Sequence, residues 1–137
     1  MCKEDKSDIA QVSLKTGIDG LIATNTTIER PKSLIDKNAR ESGGLSGQPL
    51  LEPSTRVLSE MYKLTAGRIP LIGVGGVASG ADAYAKIKAG ATLVQFYSAM
   101  IFYGPAQVQM IKRELAALLV ADGFSSISEA IGSDHSQ

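Results

Sequence analysis

The sequence predicts an α/β fold: parallel strands flanked by helices, amounting to the last three βα units of a partial (β/α)8 barrel. Three observations carry this. Compact apolar runs at Ile18–Thr24, Leu71–Val74 and Thr92–Phe96 alternate with helical patterns. Runs this short, bounded by Gly and Pro, read as buried strands, and βα alternation implies a parallel sheet with helices outside it. The pattern also opens on a helix and holds only three strands, whereas a closed barrel takes about 250 residues. The 137 residues are therefore expected to be the C-terminal part of one incomplete barrel domain. Finally, the turn Gly75-Gly76-Val77-Ala78-Ser79-Gly80 stands where a strand meets a helix. Adjacent glycines let backbone amides approach an anion, and a helix N-terminus adds unpaired N–H groups and a positive dipole end. That predicts a phosphate site of the kind barrels build after their seventh and eighth strands.

The elements follow in order. Asp5 to Thr16 carries Ile9, Ala10, Val12 and Leu14, with acidic residues early and Lys15 late, and predicts a short amphipathic helix stopped at Gly17. The first strand runs into Asn25-Thr26-Thr27. Polar side chains at the C-terminal end of a strand stand where such folds put their ligands, but Asn and Thr also serve as local turn formers, and both readings are open here. Glu29 to Gln48 is a long connection with Pro31, Asn38, Gly43, Gly44 and Gly47. Its Gly43–Gly47 segment either wraps a ligand with backbone amides or is a flexible surface loop, and composition favours the loop. Pro53 to Leu64 predicts a helix with Val57, Leu58, Met61 and Leu64 on one face. After the second strand, Ser79 is the expected N-cap of a helix over Gly80–Lys88, reinforced by Asp82, with Ala83 and Ile87 inward and Gly90 as the stop. Phe102–Pro105 reads as an interruption after the third strand. A helix from about Ala106 to Val120 follows, with Val108, Ile111, Leu115, Leu118 and Leu119 as its stripe, then a short helix at Ile127–Ile131 and a polar tail with a solvated His135. Lys86, Lys88, Lys112 and Arg113 read as solvated helix faces.

Composition excludes several classes. Fourteen acidic residues balance fourteen basic ones, and aromatic residues make up 5% with no Trp, so nothing supports nucleic-acid binding. The lone Cys2 excludes an internal disulfide and any multi-cysteine metal site. No run approaches the ~18 apolar residues of a membrane span. The charged start, Met1 to Asp8, carries no signal or transit pattern.

Taken together, five stretches resemble dihydroorotate dehydrogenase, and within it the membrane-associated, quinone-reducing class. They are Asp19-Gly20-Leu21-Ile22-Ala23-Thr24-Asn25-Thr26-Thr27, Glu41-Ser42-Gly43-Gly44-Leu45-Ser46-Gly47, Ile72-Gly73-Val74-Gly75-Gly76-Val77, Ala89-Gly90-Ala91-Thr92-Leu93-Val94-Gln95-Phe96-Tyr97 and Ala130-Ile131-Gly132-Ser133-Asp134-His135. Their order and spacing make the joint match specific, and it runs from about Asp5 onward. The resemblance implies a (β/α)8 barrel holding FMN at the C-terminal strand ends and oxidising dihydroorotate to orotate in pyrimidine synthesis, with a quinone as acceptor. It implies that Thr24, Ser46, Gly47, Gly75, Gly76, Tyr97 and Ser98 contact FMN, the last four around its phosphate. Asn25 and Thr26 would hydrogen-bond the orotate ring or carboxylate. Tyr97, Met100, Ile101 and Pro105 would line the quinone's route, with simple core packing as the other reading of Met100 and Ile101.

The same resemblance puts the catalytic base, a serine in this class, upstream of the matched region, together with a lysine, several asparagines and the N-terminal membrane module. No catalytic residue is therefore assigned in this chain, which is expected to be inactive alone. A second reading is a non-catalytic partial-barrel module that binds flavin phosphate or self-associates through exposed strand edges and apolar faces. The family's location is the inner mitochondrial membrane in eukaryotes and the plasma membrane in bacteria.

Overall fold

A computed structural model describes residues 2–135. Helix α1 (Lys3–Thr16) leads to strand β1 (Leu21–Ala23); a 3-10 turn (Gln48–Leu50) then runs into α2 (Leu51–Thr65). Strand β2 (Leu71–Val74), helix α3 (Gly80–Lys88) and strand β3 (Leu93–Gln95) follow. The chain ends with α4 (Ser98–Tyr103), α5 (Ala106–Ala121), the short α6 (Ile127–Ala130) and a 3-10 turn at Ser133–His135. The three strands are parallel in the order β1-β2-β3. The expected βα alternation is therefore present, with β2 and α3 at the boundaries the sequence predicts.

Register decides which side chains face the helices. Ala23, Gly73 and Val94 lie side by side, as do Ile22, Ile72 and Leu93 in the adjoining row. Because successive residues point to opposite faces, these rows belong to opposite sides of the sheet. The first packs under α2 and α3 into a core of Leu58, Met61, Leu71, Tyr84 and Ile87 with several alanines. The second is uncovered: Ile22 is 58% and Leu93 61% exposed. A closed barrel fills its interior with side chains of this kind.

Two helices present different faces from those expected. In α1 the buried positions are Lys6, Ala10 and Ser13, whereas Ile9 and Val12 are exposed. Lys6 forms an ion pair with Glu60 on α2, so α1 docks by small residues and a charge pair rather than by its larger aliphatics. In α2 the buried line is Ser54, Leu58, Met61 and Thr65, and Leu64 turns outward.

Helix α3 is held at both ends. Ser79 caps it, its Oγ accepting the Asp82 N–H at 3.1 Å, while the Asp82 carboxylate accepts the Ala78 N–H at 3.0 Å. Ala83 packs with Val77 and with Ile111 of α5, and the Tyr84 hydroxyl donates to Asp122 at 2.7 Å. Val108 is more exposed than its place in the α5 stripe suggests, while Ile111 is buried and Leu115, Leu118 and Leu119 are half-buried. His135 is not solvated as expected. It stacks on Tyr62 with ring centroids 5.2 Å apart, and its Nε2 lies 3.1 Å from the Ala89 carbonyl.

The α3–α5 contact is close enough to reverse a helix-propensity rule. A Cβ at Gly80 would overlap Glu114 and come within 2.7 Å of the Leu115 backbone N. Propensity favours Ala over Gly in a helix by about 1 kcal/mol, but overpacking costs typically about 1–3 kcal/mol. Gly80→Ala should therefore destabilise the chain in urea unfolding; a gain in stability would contradict this packing.

Candidate functional site

One cavity of about 480 Å³ opens at the C-terminal ends of the three strands. It is built by the segments that leave them. After β1, Thr24, Asn25 and Thr26 line it; after β2, the Gly75–Ala78 turn; after β3, Phe96, Tyr97 and Ser98. Ser46, Gly47 and Gln48 close it from the long β1–α2 connection. All nine residues expected around cofactor and substrate thus border one space, although they come from four separate stretches of sequence.

The long connection is tied in place, which corrects its reading as a flexible loop. Thr27 and Leu45 form an isolated antiparallel bridge, with N–H···O distances of 3.2 and 2.7 Å. Inside the loop, the Arg30 guanidinium donates to the carbonyls of Ala39 (3.0 Å), Glu41 (3.0 Å) and Gly43 (2.8 Å), with longer bonds to Thr27 and Glu29. A loop without regular structure still has to satisfy its carbonyls, and one planar fork of donors does so here. Gly44 packs directly on Thr26, leaving no room for a side chain. Ser98 Oγ donates to Ser46 Oγ at 3.2 Å and joins the loop to the start of α4. Asn25 Oδ1 accepts the Thr26 N–H at 2.7 Å. That fulfils part of its turn role, and its side-chain NH2 has no protein partner among the described residues.

The glycine turn has its shape for a packing reason. Gly75 and Gly76 have φ of +110° and +78°. A Cβ at Gly75 would lie 2.7 Å from Ser54 Oγ, and one at Gly76 would lie 2.6 Å from Leu51 Cα. The turn therefore rests on the first turn of α2, and both the backbone angle and the contact demand glycine. The helix that follows, however, does not offer its N-terminus as expected. Ser79 and Asp82 take up the Asp82 and Ala78 amides, and Glu114 Oε2 accepts the Gly80 N–H at 2.6 Å. Protein carboxylates thus occupy the positive end of α3. The helix start that does border the cavity is α4, at Tyr97–Ser98, where no side chain caps the amides.

Helix α4 carries most of the expected quinone-side residues. The sequence reads Phe102–Pro105 as an interruption and assigns no element to Ser98–Ile101, yet Ser98–Tyr103 is helical. Helical spacing then turns Ala99, Phe102 and Tyr103 to the cavity wall, and Met100, Ile101 and Pro105 lie outside it. Ile101 and Pro105 are exposed and Met100 is 39% exposed, so core packing does not describe them either. Tyr97 lines the cavity and is itself largely exposed.

Beneath the glycine turn lies a group that sequence reasoning placed on a solvated face. Lys86 has no exposed surface. Its Nζ donates to Ser54 Oγ and to the Leu51 carbonyl at 3.5 Å. Ser54 Oγ in turn lies 2.6 Å from the Leu50 carbonyl and 3.1 Å from the Gly75 carbonyl. The other three cations named with it differ: Lys88 sits 4.7 Å over the Tyr84 ring, and Lys112 and Arg113 are exposed. One signal was present in the sequence: Lys86 stands next to Ile87 and three residues after Ala83, inside the apolar face of α3.

A parallel βα array with a glycine-bordered, uncharged cavity at its C-terminal strand ends defines a segment of a (β/α)8 barrel enzyme. The dihydroorotate dehydrogenase family model matches residues 1–119. The dihydroorotate dehydrogenase (quinone) of Rhodospirillum rubrum is 58% identical over 132 residues, covering 96% of this chain and 36% of that protein. The mitochondrial dihydroorotate dehydrogenase (quinone) of Mus musculus is 57% identical over 132 residues, covering 96% of this chain and 33% of that protein. The crystal structure of the Eimeria tenella enzyme in complex with ferulenol superposes with a TM-score of 0.96 at 48% identity, over 98% of this chain and 36% of that one. The chain belongs to the dihydroorotate dehydrogenase family. It spans about a third of the length of these relatives. Relatives named mitochondrial and relatives from bacteria both occur, and among the described residues no helix is long and apolar enough to cross a membrane.

Lys86 provides a check on the buried cluster. Burial lowers its pKa from 10.5 to about 8, partly offset by Asp82. Below that range both folded and unfolded chains hold the proton, and folding bears the cost of burying the charge. Between about pH 8 and 10.5 the unfolded chain binds more protons than the folded one, so stability rises with pH. In urea unfolding, the wild-type chain should gain stability relative to Lys86→Met across that window. A stability gap that stays constant with pH would mean that Lys86 is not buried as a cation.

Proposed function

We propose that this chain forms the FMN-phosphate site and part of the substrate site of a quinone-reducing dihydroorotate dehydrogenase, which oxidises dihydroorotate to orotate in pyrimidine synthesis. The observation that carries this reading is the Gly75–Gly76 turn bordering the same cavity as Thr24–Thr26, Ser46–Gly47 and Tyr97–Ser98. Two glycines whose Cβ positions are taken by α2 leave bare backbone at the cavity wall, which suits a phosphate. Neutral polar groups on the opposite rim suit a ring whose orientation must be fixed without burying a fixed charge.

In this reading Gly75 and Gly76, with the uncapped start of α4 at Tyr97–Ser98, hold the phosphate. Thr24, Ser46 and Gly47 contact the flavin, and Asn25 and Thr26 orient the orotate ring or carboxylate. Bound FMN supplies the redox chemistry, and the protein positions it and controls its surroundings. The exposed aromatic and aliphatic surface of α4, with Tyr97, Ile101, Phe102 and Tyr103, suits the approach of an apolar quinone. Met100 and Pro105 border that surface from outside the cavity.

In this reading the proton lost from dihydroorotate passes to a base outside the matched region. No Asp, Glu, His, Lys or Arg lines the cavity, and its two serines are hydrogen-bonded to each other. In this reading the chain by itself binds without turning over, since losing a general base alone costs about 10²–10⁴ in rate.

Titration of the chain with FMN, followed by visible absorption and with riboflavin as the phosphate-free control, tests the site. FMN should bind and riboflavin should bind far more weakly. Equal binding of the two would remove the phosphate cradle from the reading, and no binding of either would remove the site itself. Mixing the FMN-loaded chain with dihydroorotate and a soluble quinone should give no orotate above background, and sustained orotate formation would refute the absence of a base.

A further inference from the structure

Lys86 is the one fully buried lysine among the described residues, and the proposed reaction gives it no role. A lysine in a helix that needed only a packed side chain at this position would be replaced by a neutral residue at little cost, because taking an ammonium out of water is expensive unless something uses the charge. Its surroundings show what the charge reaches. The ammonium donates to Ser54 Oγ. A serine hydroxyl has one proton and two lone pairs, so accepting from Lys86 commits Ser54 to donate its own proton outward. The acceptors that share that one proton are the Leu50 carbonyl at the end of the 3-10 turn, at 2.6 Å, the Leu51 carbonyl in the first turn of α2, at 3.2 Å, and the Gly75 carbonyl across from it, at 3.1 Å. Ser54 can come this close only because Gly75 has no side chain.

We propose that Lys86 is a positioning residue for the phosphate end of the cavity, its buried ammonium orienting Ser54 so that Ser54 holds the Gly75 carbonyl on the far side of the turn and the Gly76 N–H stays turned toward an anionic ligand. This rests on the reading of that turn as the FMN-phosphate cradle. The peptide plane links the two sides: a carbonyl fixed away from the cavity fixes the direction of the N–H of the next residue. The charge also lies behind the turn with no surface exposed to bulk solvent, where its attraction for a phosphate is weakly screened. The lowered pKa of Lys86 fits a cation that lacks its counter-charge until an anion binds in front of it.

The experiment measures FMN and riboflavin affinities for the wild-type chain, Lys86→Met and Ser54→Ala, with urea unfolding of each. The wild-type pair is the control for the cradle itself: if it shows no preference for FMN, that reading fails and the inference falls with it. Given a wild-type preference, Lys86→Met should weaken FMN about tenfold or more, the scale of one charge-assisted hydrogen bond. Riboflavin affinity should stay within about twofold and the chain should remain folded. Ser54→Ala should act in the same direction and more weakly, because the charge remains. A purely structural brace would weaken both ligands alike or shift only the unfolding midpoint, and either result overturns the proposal. If Lys86→Met does not fold, the ligand ratio of Ser54→Ala decides; if neither variant folds, the pair is a structural brace and the proposal is wrong.

Discussion

The cavity depends on the seating of one glycine turn on the first turn of α2. Gly76 lies against the backbone of Leu51 and Gly75 against Ser54, at distances that exclude any side chain. That contact sets where β2 delivers its C-terminal residues, and through the parallel register it aligns them with the ends of β1 and β3. Leu50, at the end of the 3-10 turn that feeds α2, is buried and lines the cavity as well. The same turn of backbone therefore ends one wall of the site and begins the helix supporting the other.

Around this seat, polar side chains do work that regular secondary structure does elsewhere. Arg30 gathers the carbonyls of a loop with no helix and only one bridge, and Ser98 joins that loop to α4 through Ser46. Glu114 and Asp82 close the N-terminus of α3, which directs the available backbone donors of the site to the glycine turn and α4. The cavity that results is uncharged, with Val77, Phe96 and Phe102 as apolar wall beside a few Thr, Asn and Ser side chains. Such a site can orient a ligand by a few hydrogen bonds against an apolar wall.

The uncovered row of Ile22, Ile72 and Leu93 gives the sheet two unlike faces. Helices bury one face in an alanine-rich core in which Leu58, Met61 and Ile87 fill the larger spaces. The other carries aliphatic side chains suited to a barrel interior. The relatives that this chain matches are about three times its length, in keeping with a sheet that continues on both edges.

Local pattern alone determined the strand positions, the span and cap of α3, and the glycine turn. Each of these depends on residues within a few positions of one another: alternation set by Gly and Pro, a serine three residues before the amide it caps, two adjacent glycines. Residue motifs also brought together the nine residues that border the cavity, although nothing in their spacing says that they meet. Tertiary structure decided the rest. Helix α4 lacks a capping residue and a polar face, so no pattern marks it and Phe102–Pro105 looks like a break; Ser98–Tyr103 is helical against α5 and the cavity. Lys86 looks like any lysine on a helix until Ser54, thirty-two residues earlier, supplies the acceptor that lets it be buried. Glu114 reaches the α3 amides from another helix altogether. In each case the deciding partner is distant in the chain, and the free energy of burying a charge or an amide depends on that partner rather than on the residue itself.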